Sequence, residues 1–287
     1  MNIHLLGSRF IATATLLLMT APAFGAGFGV NERSAKATGR NNAVYAKLAE
    51  PGTLFYNPAG LSDVPDVQLS IGGQFIYGTN EYSDPNGERL IAESTLKKAI
   101  PNIAVSYQVI DDLTLGFGLM VPHGLAVEWP KGWAGAGIVE FVDLQAPHVT
   151  LGGAYRIADG LSVGIAGYFA FTHLKLERAV ATNTVVIQSN ELFKGSDGLG
   201  FAGSVGITYE PTDDVRLGVA YKTKLDLSYD EGDFLLLDAD GNKQMDARTQ
   251  TELSLPGQLD LAVGYSITKD IYVELDATYT QWSAVEK

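Results

Sequence analysis

Val105-Ser106-Tyr107-Gln108-Val109-Ile110-Asp111-Asp112-Leu113-Thr114-Leu115-Gly116-Phe117-Gly118-Leu119 alternates apolar with small or polar residues on both sides of a two-aspartate turn. Successive strand side chains point to opposite faces, so this stretch reads as an antiparallel hairpin with one apolar face. The pattern recurs three times. Val149, Leu151 and Tyr155 lead through Ala158-Asp159-Gly160 to Leu161, Val163 and Ile165. Phe201, Val205, Ile207 and Tyr209 lead through Pro211-Thr212-Asp213-Asp214 to Val215, Leu217 and Val219. Leu259, Leu261, Val263 and Tyr265 lead through Thr268-Lys269-Asp270 to Ile271, Val273, Leu275 and Tyr279. With a lone earlier strand carrying Val67, Leu69, Ile71, Phe75 and Tyr77, the count is about nine strands.

The connections between hairpins are long, at residues 79–101, 122–147, 177–198 and 230–256, whereas the turns within them are short. That asymmetry belongs to outer-membrane barrels, whose short turns face the periplasm and whose long loops face outward. Tyr107, Tyr155, Tyr209 and Tyr265 all stand on the apolar face just before a short turn, where an interfacial aromatic girdle is expected. The other face carries Ser106, Thr114, Gly116, Gly118, Gly152, Gly164, Gly206, Gly218, Ala220, Ala262 and Gly264. These are small residues, not the charged lining of a water-filled pore. Glycine in a strand marks close approach of another backbone or a ligand, so the lumen is expected to hold a plug or an apolar cargo.

Composition agrees with this reading. The 287 residues are 46% hydrophobic, contain no cysteine, and carry 20 basic against 33 acidic residues, a net charge of -13. That charge disfavours nucleic acid as a partner, and the missing cysteine removes disulfides, zinc-thiolate sites and thiol nucleophiles. At the N-terminus Arg9 ends a basic region, residues 10–19 form a short apolar stretch, and Ala23-Phe24-Gly25 offers small residues for cleavage. Residues 1–25 therefore read as a signal peptide, the alternative being a buried N-terminal helix. Beyond Gly25 no apolar run is long enough for a membrane helix. A chain that spans the membrane without one must do so as a closed β-barrel.

Residues 26–66 break the alternation: Ala26-Gly27-Phe28-Gly29-Val30-Asn31-Glu32-Arg33-Ser34, then Gly39-Arg40-Asn41, then Phe55-Tyr56-Asn57-Pro58-Ala59-Gly60-Leu61. Together with Gly124-Leu125-Ala126, Gly153-Ala154-Tyr155-Arg156 and Thr280-Gln281-Trp282-Ser283, this resembles the FadL/TodX (OmpP1) family of outer-membrane transporters for hydrophobic compounds. The resemblance implies an N-terminal hatch, residues 26–66, plugging an all-β transmembrane antiparallel barrel of about fourteen strands. It implies a hatch turn at Asn57, Pro58 and Ala59, a cargo contact at Phe28 near the mature terminus, and sideways exit where the third strand kinks at Pro122, His123 and Gly124. Leu48-Ala49-Glu50-Pro51 departs from the family's Ala-Asp-Asp-like step, so hatch contacts there do not carry over. About nine strands is an odd number for such a barrel, and Ala284-Val285-Glu286-Lys287 lacks a terminal aromatic, so residues 67–287 read as a barrel truncated at its C-terminus.

Other chemistries fit less well. Gly198, Gly200 and Gly203 match a dinucleotide fingerprint, but residues at strand period follow where a helix is required. Asp238, Asp240 and Asp246 gather carboxylates in one loop. Lys243 occupies the glycine position of a calcium hand, leaving a solvated acidic loop, or divalent ions bridging it to lipopolysaccharide. His123, His148 and His173 have no metal spacing, and no nucleophile elbow is present. The expectation is a monomeric outer-membrane protein, neither enzyme nor cofactor-dependent, contacting outer-membrane lipid and lipopolysaccharide. It passes fatty acids or aromatic hydrocarbons passively past a movable hatch. The competing class is a structural or adhesive barrel with no transport role.

Overall fold

The computed structural model describes residues 29–93, 96–180, 183–188, 198–238, 240 and 242–284. The signal segment expected at 1–25 and the proposed cargo contact Phe28 lie outside the described residues.

Fifteen strands follow an N-terminal segment of turns: β1 (Val67–Gly78), β2 (Glu81–Ser83), β3 (Arg89–Ile91), β4 (Leu96–Ile110), β5 (Leu113–Glu128), β6 (Phe141–Ala158), β7 (Leu161–Phe171), β8 (His173–Val180), β9 (Asn183–Gln188), β10 (Leu199–Thr212), β11 (Val215–Lys222), β12 (Leu225–Leu237), β13 (Lys243–Leu255), β14 (Gln258–Ser266) and β15 (Tyr272–Thr280). Thirteen form one antiparallel sheet, and β2 pairs with β3 alone. The run β1-β4-β5-β6-β7-β10-β11-β14-β15 contains the strands that the period-two pattern predicts. The remainder corrects part of the loop reading. β8 and β9 form a hairpin, β12 and β13 another, and β9 pairs with β12, so the connections at 177–198 and 230–256 contain β-structure; β2, β3 and the start of β4 lie within 79–101, and β5 and β6 extend into 122–147. The two hairpins escape a pattern search because β13 exposes residues on both faces along most of its length.

Register confirms the short turns. Asp111-Asp112 joins Ile110↔Leu113, Asp159-Gly160 joins Ala158↔Leu161, and Asp213-Asp214 joins Thr212↔Val215. Gly160 takes a positive φ of 72°, the conformation for which a turn selects glycine. The four girdle tyrosines all point outward and are exposed, as are Ile71, Phe75, Ile165, Phe201 and Leu275. So broad an apolar outer face suits hydrocarbon rather than water.

The core lies on the opposite face. Residues 29–66 contain a short helix, α1 (Ala35–Gly39), and two 3₁₀ turns, Pro51–Phe55 and Pro58–Asp63. Their buried Val44, Tyr45, Leu48, Leu54, Phe55, Tyr56 and Leu61 pack against Ala104, Met120, Ala154, Ala166, Ala220 and Ala262 of the strands. Each large side chain so buried contributes roughly 1.5–3 kcal/mol. The glycines explain the fit. A Cβ on Gly164 would overlap the Pro58-Ala59 peptide, and one on Gly206 would overlap Asn57 Oδ1. The same segment touches β1, through Gln74 to Glu32 O, and β15, through Glu274 and Asp276. One short segment reaches both ends of the row of strands, so the sheet curls around it.

Candidate functional site

The N-terminal segment is held at three places. At its centre Asn57, 1% exposed, caps the second 3₁₀ turn: its Oδ1 accepts from Ala59 N at 3.1 Å. Its Nδ2 donates to Tyr45 O at 2.8 Å and to Ile207 O of β10 at 3.1 Å. Pro58 follows at the first position of the turn, where its fixed φ is suited and its missing N–H costs nothing. Asn57, Pro58 and Ala59 thus meet the wall at Gly164 and Gly206.

Near the short-turn end Arg216 of β11, 6% exposed, pairs with Asp63 and Glu210, while Arg156 Nη2 donates to Ser62 O at 2.8 Å. At the β15 side Asp276 Oδ2 accepts from Val44 N at 2.8 Å and from Tyr45 N at 3.2 Å. Glu274 accepts from Ala46 N at 2.7 Å and pairs with Arg40 at 2.9 Å. These charged residues went unnoticed in the sequence, although a signal was present. Arg216, Asp260, Glu274 and Asp276 occupy lumen-phase positions otherwise given to glycine and alanine.

Above this seat lies a cavity of about 40 Å³ whose walls include Arg33, Phe55, Met120, His123, His148 and Lys222. In that measure a water needs roughly 10–15 Å³, so the space admits a polar head group and not a long chain. Arg33, 7% exposed, donates from Nη1 to Phe55 O at 2.6 Å and lies over the Tyr56 ring at 5.3 Å. Among the described residues no carboxylate lies within ion-pair distance of it. Lys222, by contrast, is neutralised by Asp260 at 3.1 Å, with Tyr45 and Gln258 joining the group. Burial, with Asp260 nearby, pushes the Tyr45 phenol well above its ordinary range, so it stays a neutral donor and acceptor. Among the described residues, His148, 2% exposed, has no hydrogen-bond partner on either ring nitrogen, and Thr150 Oγ1 has none. Buried polar atoms of this kind call for a polar partner.

The wall opens beside this cavity. β5 runs through Pro122, His123 and Gly124 without ending, but its register against β6 slips by one residue between Met120↔His148 and His123↔Ala146. Against β4 its ladder stops at Ile103↔Leu119, while β4 continues to pair with β1 as far as Leu96. The N-terminal segment occupies the freed edge: Val30 N donates to Pro122 O at 2.7 Å, and Gly29 bridges to His123. Gly124 stays in the ladder opposite Gln145.

The histidines gather no metal set: among the described residues no cluster of three or more potential ligands occurs. Asp238 instead binds its own loop: the hydrogen bond it accepts from Asn242 N, with those from Asp240 N and Gln244 Nε2, holds its carboxyl below the usual range.

Comparison with known proteins follows this geometry. The profile of the outer membrane protein transport family (OMPP1/FadL/TodX) matches residues 16–287. Outer membrane protein P1 of Haemophilus influenzae is 25% identical over 326 aligned residues, covering 96% of this chain and 70% of that protein. The long-chain fatty acid transport protein of Escherichia coli O6:H1 is 27% identical, covering 78% of this chain and 55% of its own length. Among solved structures, the toluene transporter TodX of Pseudomonas putida aligns with a TM-score of 0.68 at 19% identity, over 88% of this chain and 70% of that one. A FadL homologue of Pseudomonas aeruginosa aligns with a TM-score of 0.67 at 17% identity, over 89% and 70%. An apolar outer strand face, an N-terminal segment packed against the inner face of the curled sheet and these matches agree: the chain belongs to the OMPP1/FadL/TodX family of outer-membrane transport proteins of Gram-negative bacteria.

Proposed function

We propose that this protein carries amphipathic hydrophobic acids, of the long-chain fatty acid class, passively across the outer membrane, and that residues 26–66 act as a hatch. The observation that carries the reading is the buried Arg33 guanidinium in this cavity, with no carboxylate within ion-pair distance of it among the described residues, whereas the neighbouring Lys222 has Asp260. A buried charge without a counter-ion is costly, and a cargo carboxylate removes that cost with a charge-assisted hydrogen bond. Leu54, Phe55, Met120 and Leu225 form an apolar surround for the adjoining chain. The relatives named for long-chain fatty acid transport support this class, and those named for toluene support a wider apolar range.

The cavity is too small for a chain while the N-terminal segment is seated, so passage requires that segment to move. Its hold on the β5 edge at Pro122 and His123 makes the same movement open the wall there, a sideways exit towards lipid. Phe28 is proposed as a cargo contact. The test is uptake of radiolabelled oleate by cells expressing the full-length gene, wild type and Arg33→Ala. Uptake no better than in vector controls for either protein leaves a structural or adhesive barrel as the better reading.

A further inference from the structure

Three buried donors share one small space. Arg33, His148 and Thr150 are each more than nine-tenths buried and line the cavity of about 40 Å³. Among the described residues, Arg33 Nε, both His148 ring nitrogens and Thr150 Oγ1 have no hydrogen-bond partner, and no aspartate or glutamate lines the cavity with them. The side chains are fixed from behind. Arg33 N donates to the Tyr56 hydroxyl at 2.8 Å and Arg33 Nη1 to Phe55 O at 2.6 Å, so the guanidinium is tied to the N-terminal segment through groups other than Nε. The His148 ring stacks on Tyr168 at 5.2 Å and 9°, and the Tyr168 hydroxyl reaches Gly203 O at 3.4 Å. Thr150 follows on the same face of β6, opposite Gly118 of β5 and Tyr168 of β7.

A neutral imidazole offers one N–H, a threonine one O–H and the guanidinium Nε one N–H. Donors and a positive charge that converge on one space fit an acceptor of negative charge. Water answers the donors but leaves the guanidinium without a counter-ion. Lys222, the other cation of the cavity wall, already has Asp260 at 3.1 Å. Size narrows the ligand further. The space holds about three water-sized groups, enough for a carboxylate with little or nothing attached and too little for a chain. The donors also come from two bodies: Arg33 belongs to the N-terminal segment, His148 and Thr150 to the wall. An anion held by all three ties the segment to the wall, and a ligand that binds only the seated arrangement stabilises it.

We propose that short carboxylates of the formate and acetate class bind between Arg33, His148 and Thr150 and hold the N-terminal segment in its seat, opposing the entry of long-chain cargo. The proposal rests on the reading of Arg33 as the partner of a cargo carboxylate and deepens it. The head-group site gains two wall residues, and when a head group without a chain occupies it, it acts as a brake on the hatch.

The test is amide hydrogen exchange of the full-length protein in detergent, in sodium formate against sodium chloride at equal ionic strength, with formamide as the uncharged molecule of matched size. Val30 N and Arg33 N, bonded to Pro122 O and the Tyr56 hydroxyl, report on the seat. Formate at about ten times its Kd should slow their exchange about tenfold, and formamide should not. His148→Phe keeps a ring against Tyr168, and Thr150→Val keeps the branched shape, so both remove a donor and keep the space filled; each should raise the formate Kd about tenfold or more. Equal exchange of the wild type in formate and chloride overturns the proposal, as does equal protection by formamide or an unchanged formate Kd in both variants. Oleate titrated into the same wild-type sample separates the two readings. Oleate binding without formate protection leaves the cargo reading in place and overturns the brake, whereas formate protection without oleate binding supports the carboxylate site and overturns the cargo reading.

Discussion

Replacing Asn57 by alanine probes the seat of the N-terminal segment most sharply. The amide makes three hydrogen bonds, to Ala59 N, Tyr45 O and Ile207 O, and is 1% exposed. Alanine removes a helix cap, typically about 1 kcal/mol, and two donations at roughly 0.5–1.5 kcal/mol each. The loss of docking free energy is then about 2–4 kcal/mol, which raises the population of undocked segment about 30-fold to nearly 1,000-fold. Amide hydrogen exchange of the full-length protein in detergent reads this directly. Gly60 N and Val64 N, bonded to Asn57 O and Leu61 O, should exchange faster by that factor, while the ladder amides of β6 and β7 should not change. Asn57→Asp keeps the cap to Ala59 but turns a buried carboxylate oxygen towards the Tyr45 and Ile207 carbonyls, so its effect should exceed that of alanine. Unaltered exchange at Gly60 and Val64 in Asn57→Ala would refute the reasoning, because the segment would then be held without the amide.

Three further outcomes follow from the same contacts. Gly164→Val should displace Pro58 and Ala59 at a cost of about 1–3 kcal/mol or more, leaving a heat-modifiable barrel whose residues 29–66 become protease-sensitive; protection equal to wild type would contradict the packing described. Glu274→Gln with Asp276→Asn weakens charge-assisted bonds to Val44, Tyr45, Ala46 and Arg40, each worth roughly 1.5–3 kcal/mol, and should raise single-channel leak in planar bilayers. Arg33→Ala should weaken oleate binding by at least about tenfold in calorimetry and leave toluene binding nearly unchanged; equal losses for both ligands would assign Arg33 a structural role through Phe55 and Tyr56 instead.

Much of the fold was legible because a half-buried strand advertises its faces. Tyr107, Tyr155, Tyr209 and Tyr265 marked the outward side, and the glycines opposite marked a lumen with something close against it, which Gly164 and Gly206 make concrete. The hairpin β12–β13 was not legible, since Lys243, Gln244, Asp246 and Arg248 face water on both sides and leave no period. Pro122 announced one irregularity in the wall. The inward turn at Thr223 and Lys224 carries no proline or glycine and leads into the buried cluster of Leu225, Leu227, Tyr229 and Leu255. Arg33 was passed over for a different reason. Its neighbours in the cavity, His148 and Lys222, lie far away in sequence, and only the curled sheet brings the three together.

The central claim is that cargo crosses only when the N-terminal segment leaves its seat, and a reversible lock tests it most directly. The chain has no cysteine, so Leu61→Cys with Gly116→Cys introduces a single pair, at a place where Leu61 Cδ1 lies 3.0 Å from the Cβ position of Gly116. Oleate uptake by cells carrying this full-length variant should fall to the vector level when the pair is oxidised and return when it is reduced. Uptake that is the same in the oxidised and reduced forms, with the cross-link verified, would contradict the account.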